Sequence, residues 1–151
     1  MDASIRLMRI IWMAMVISVL IYGFIAWTFT RGGEPKPPVE ETIQHSTVQV
    51  LYGLGVLMFI LSSVLPRMVL RGRNNGRQPG GPQGSAVPNE IRVALLIRFA
   101  MLESVAIFGL ICAFMFNDGR LFIPLAMLSL VGFLMALPSE SLIQRMDEMR
   151  R

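Results

Sequence analysis

Residues 10–30, IIWMAMVISVLIYGFIAWTFT, form a run of 21 residues without a charge. An α-helix crosses the hydrocarbon core of a bilayer with about 20 apolar residues. Only a segment that satisfies its own backbone polar groups is stable there. The run therefore reads as a membrane span and not as a face of a soluble core. Arg6 and Arg9 precede it, which gives it the outline of a signal peptide. Its apolar centre is too long for one and no small-residue cleavage pattern stands before Arg31, so it reads as a retained anchor.

Working outward, the same logic finds three more spans, at about 48–70, 91–116 and 121–137. Residues 31–47 contain Gly32-Gly33, Pro35, Pro37 and Pro38 beside Glu34, Glu40 and Glu41, a composition that predicts a loop. Pro66 predicts a break or kink near the end of the second span. Residues 71–89 are rich in Arg, Gly and Pro and read as a flexible linker. Asn117-Asp118-Gly119 is a tight-turn signal, and Pro124 falls in the first turn of the fourth span, where a missing N–H does no harm. The tail 139–151 carries Leu142, Ile143, Met146 and Met149 at helical spacing and reads as an amphipathic helix on the membrane surface.

The predicted fold is all-α: one membrane domain over 1–151, a four-transmembrane-helix bundle of two hairpins. Its orientation follows from the cations. Arg6 and Arg9, then Arg67, Arg71, Arg73, Arg77, Arg92 and Arg98, then Arg145, Arg150 and Arg151 fall on one side. Only Arg31, Lys36 and Arg120 fall on the other. Both termini are accordingly expected inside, in a multi-pass protein of the bacterial inner (cytoplasmic) membrane.

Composition narrows the function. The chain is 54% hydrophobic and 16% charged, against about a quarter charged in soluble domains. The net charge of +4 sits beside apolar runs with no aromatic interleaving, so membrane orientation explains it and nucleic acid is not expected. Arg67, Arg71, Arg73 and Arg77 are placed to touch lipid headgroups. A single histidine, His45, and a single cysteine, Cys112, predict no disulfide, metal site or haem within one chain. The 12 methionines lie scattered among Leu, Ile and Phe and read as apolar filling. No catalytic constellation and no cofactor are expected.

One residue carries pointed chemistry. Glu103 interrupts the third apolar stretch, where a carboxylate at the centre of a span costs roughly 2.5–3.5 kcal/mol. Such a group either bonds to polar groups on a neighbouring helix or handles an ion, and the sequence leaves both open. Residues 100–113, AMLESVAIFGLICA, resemble the ion-binding helix of ATP synthase c subunits. That family shows alanine-leucine-x-glutamate-(alanine or serine), then isoleucine-(tyrosine or phenylalanine)-glycine-leucine. The resemblance implies that Glu103 binds and releases a proton or sodium ion, with Ser104 as its small neighbour and Phe108 and Gly109 as the aromatic-glycine pair. Arg77-Gln78-Pro79 is similar to that family's polar loop.

Gly109 with Ala113, and Gly132 with Ala136, form small-x-x-x-small pairs that let helices approach closely in lipid. Together these features predict a non-catalytic accessory or structural subunit of a larger energy-transducing or transport complex. Its partners would be membrane lipids and other membrane subunits or further copies of itself. The alternative is an ion-translocating protein that uses Glu103.

Overall fold

The computed structural model describes residues 3–32, 41–72 and 89–139. Among these residues four α-helices are formed: α1 (Ala3–Gly32), α2 (Glu41–Gly72), α3 (Asn89–Phe116) and α4 (Phe122–Met135), with a 3-10 turn at Gly119–Leu121 leading into α4. The all-α class is as expected. Three segments, Ile5–Arg31, His45–Val69 and Ile91–Phe116, are long and apolar enough to cross a membrane. The apolar segment Gly119–Met135 is shorter.

The boundaries differ from the sequence reading in physically simple ways. Residues 41–47 were expected in the loop, yet they form the first turns of α2. They are polar and so lack the membrane signal, but none of them is Pro or Gly, and nothing in them stops a helix growing outward from the apolar run. Pro66 does not end α2, which continues to Gly72. A proline inside a membrane helix is tolerated where its surroundings re-satisfy the freed backbone groups, and Pro66 is buried. The proposed tail, most of the linker, and Arg73 and Arg77 lie outside the described residues.

Packing is centred on α3. It carries the densest set of buried side chains, including Ile91, Ala94, Leu95, Phe99, Leu102, Val105, Ala106, Cys112 and Ala113. Alongside it α2 runs antiparallel, since Gly55 and Gly109 meet at Leu125 while Phe59 and Leu102 meet at Gly132. On another side α1 runs parallel to α3, with Phe29 edge-on to Phe114 at 5.4 Å. The helix α4 returns antiparallel to α3, and Ser129 donates to the Leu102 carbonyl at 2.7 Å.

The first expected hairpin does not close as a packed pair. Consecutive in sequence, α1 and α2 share hardly any contact, because α3 and α4 stand between them. Instead the segment 119–138, which contains the shorter α4, lies beside α1. Gly119 lies against Thr30 and Ala26 at one end. Near the other end the Trp12 indole N–H donates to the Phe133 carbonyl at 2.8 Å. At that end Arg9 Nε also donates to the Pro138 carbonyl at 3.3 Å.

The outer faces of α1 and α2 are apolar and exposed. On α1 these are Ile10, Met13, Ile17, Leu20, Ile21 and Phe24, and on α2 Val50, Leu54, Leu57, Ile60 and Val64. In water such a surface would drive association; in a bilayer it is the face that meets acyl chains.

Candidate functional site

Glu103 lies on the side of α3 that meets α1, half-buried between the two helices. Ser18 and Tyr22 stand four residues apart on α1, so both project from one face. The Ser18 hydroxyl and the Tyr22 hydroxyl each donate to Glu103 Oε1 at 2.8 Å. Ser18 Oγ is also 2.8 Å from the carbonyl of Met15 in its own helix. A hydroxyl has one proton to give, so Ser18 serves one of these acceptors at a time unless the carboxyl group itself carries a proton.

The arrangement is a polar clasp in an apolar seam. Hydrogen bonds to charged groups contribute more than neutral pairs, although interhelical bonds in membrane proteins average only about 0.6 kcal/mol. The two bonds converge on one oxygen and fix the rotation of α1 against α3. Nothing in the one-dimensional pattern pairs these helices, yet the donors carry a signal. Ser18 and Tyr22 are polar residues at helical spacing within a run that has no charge.

The other expected site residues fall elsewhere. Ser104, adjacent to Glu103 in sequence, donates to the Ala100 carbonyl of its own helix at 2.9 Å and is not part of the clasp. Gly109 and Gly132 line the seams with α4. A Cβ on Gly109 would stand 3.1 Å from the Phe122 carbonyl oxygen and from Leu125 Cβ. One on Gly132 would overlap the Leu102 side chain and sit 3.1 Å from the Phe59 ring. Ala113 and Ala136 are fully buried. At Gly109 and Gly132 the missing side chain leaves room for the facing helix.

At the opposite end of α1 the Arg31 guanidinium stacks over the Trp27 ring at 3.8 Å. Both residues, with Asp118 and Arg120, line a cleft of about 590 Å³ beside the α3–α4 turn. Asp118 accepts from the Arg120 backbone N–H at 2.9 Å and caps that turn. His45, exposed on α2, is 3.0 Å from Gln49. Of the expected headgroup contacts, Arg67 is exposed near the end of α2 and Arg71 belongs to its last turn. Among the described residues no group of three or more His, Cys, Asp or Glu gathers to hold a metal. No protein-family model, curated protein or solved structure matches the chain. Fold and chemistry define its class: a helical membrane protein with one internal carboxylate clasp.

Proposed function

We propose that this protein is a non-catalytic integral subunit, an accessory or structural component of a larger membrane complex of the energy-transducing or transport kind. One observation carries the reading. The carboxylate at mid-depth of α3 is engaged by two hydroxyls of the same chain, and the outer faces of α1 and α2 remain apolar and open along their length. Glu103 then orders α1 within the bundle, and the outer faces serve lipid and neighbouring subunits.

The path of α4 supports a fourth crossing. With the turn before it and the residues just after it, the segment reaches from Gly119 beside Thr30 to Pro138 beside Arg9, the two limits of the uncharged run. An element that keeps company with α1 from end to end shares its passage through the bilayer. With four crossings both termini lie on one side, and the arginine distribution favours the inside of a bacterial inner membrane. Reporter fusions at the carboxyl end are expected to be active only in their cytoplasmic form; activity of the exported form would remove the fourth crossing.

The functional reading is tested by mass. Purified in mild detergent from its native membrane, the chain is expected to run with other subunits or further copies. A lone 16.9 kDa polypeptide under all such conditions contradicts it.

A second reading, ion translocation through Glu103, draws on the same donor set, because a carboxylate flanked by two hydroxyls is also able to hold a proton or sodium ion. Glu103→Gln is expected to abolish ion-coupled activity in that case and to leave the assembled complex active in the first.

A further inference from the structure

A second polar feature lies on the other side of α3, at the level where α2 ends. Arg98 is half-buried, and its Nε is enclosed with no hydrogen-bond partner among the described residues. Arg67 stands opposite on α2. Gly55 and Gly109 face each other across Leu125. Arg67 is twelve residues further along α2, and Arg98 eleven residues back along the antiparallel α3. At about 1.5 Å per residue the two are level to within one residue's rise, and their positive charges act on one another.

Two cations at one level with an enclosed, unanswered N–H call for an anion. An unpaired buried donor carries its full desolvation penalty, larger when charged. Neither acid whose side chain is described is available: Glu103 is held from α1, and Asp118 caps the turn at the opposite end. The guanidinium fork matches phosphate oxygens in a bidentate way. The surroundings are those of an amphiphile, because Val64 and Met68, within a turn of Arg67, are exposed and apolar, as is Leu96 on α3.

We propose that Arg67 and Arg98 seat the phosphate of an anionic phospholipid headgroup at the α2–α3 seam, with its acyl chains against Val64 and Met68. Arg98 supplies the enclosed donor and fixes the phosphate; Arg67 closes the seat from the exposed side. The seat requires that α2 and α3 cross the membrane, and it is independent of whether the protein is an accessory subunit.

The test is native mass spectrometry of the full chain, delipidated in mild detergent and titrated with phosphatidylglycerol, phosphatidylcholine or inorganic phosphate. Phosphatidylglycerol is expected to be retained on the order of tenfold more tightly than phosphatidylcholine, the scale set by one or two arginines facing an anionic headgroup. Arg98→Gln and Arg67→Gln should each remove that preference, whereas Arg120→Gln, at the far end, should keep it. Arg67 is exposed, so its variant decides the matter even if Arg98→Gln folds poorly. Equal retention of the two lipids, or a preference that survives both substitutions, overturns the proposal. So does displacement of the lipid by millimolar inorganic phosphate, which would identify a site for the free ion.

Discussion

The two flanks of α3 are held by different means. Toward α1 the seam depends on directional bonds: Ser18 and Tyr22 to Glu103, with Trp12 stitching α1 to the far end of α4. Toward α2 and α4 it depends mainly on fit, with Gly55 and Gly109 closing on Leu125 and Gly132 closing on Leu102 and Phe59, and Ser129 adding a single bond to the Leu102 carbonyl. Lipid is as apolar as a leucine side chain, so burial from water drives neither seam. Close packing sums many weak contacts and fails when one atom is added. A polar clasp concentrates its contribution in two bonds and fails when one atom is removed. The prediction is a bundle whose α2–α3–α4 part resists chemical change on α1, and whose α1 is released by a single polar substitution.

The largest effect is expected at Gly132. Gly132→Leu forces a side chain into Leu102, and overpacking of this kind costs roughly 1–3 kcal/mol or more. Thermal unfolding in detergent should show the whole bundle weakened or lost; an unchanged melt would mean that the seam is looser than described.

Next comes Glu103→Ala, which removes the acceptor for both hydroxyls and is expected to cost about 1–2 kcal/mol. The loss should be confined to α1. A cysteine pair replacing Phe29 and Phe114, whose rings touch edge-on, should be bridged readily by a short bifunctional thiol reagent in the parent and poorly beside Glu103→Ala. Glu103→Gln keeps an acceptor and should largely preserve the crosslink. Tyr22→Phe deletes a single bond and should cost about 0.6 kcal/mol. Leu20→Ala, on the exposed face of α1, should alter stability by less than about 0.5 kcal/mol in either direction. A large loss there would show that the outer face already packs against protein.

What the sequence made legible follows this division. The three long helices were readable because uncharged runs of membrane length have few other uses. Glu103 was readable because a carboxylate in such a run is costly. Gly109 and Gly132 stand where a side chain would meet the neighbouring helix, and small residues four apart are the trace such contact leaves in a sequence. The partners of Glu103 were not readable, because the parallel docking of α1 on α3 is decided by how four helices share space and leaves no periodic trace. Adjacency in sequence favoured pairing α1 with α2, and that pairing does not form. The start of α2 is hidden for a simpler reason: residues 41–47 are helical but mostly polar, so they carry no membrane signal. In the sequence Arg98 reads only as one of the cations that set orientation, since enclosure of its Nε depends on the packed helices.

The clasp is tested most directly by a double-mutant cycle between Tyr22→Phe and Glu103→Ala, with reversible unfolding followed in mixed micelles. Removing the tyrosine hydroxyl should matter less once its acceptor is gone, leaving a coupling of about 0.5 kcal/mol or more between the two sites. Strict additivity would contradict the account, because it would mean that Glu103 does not hold α1 to α3.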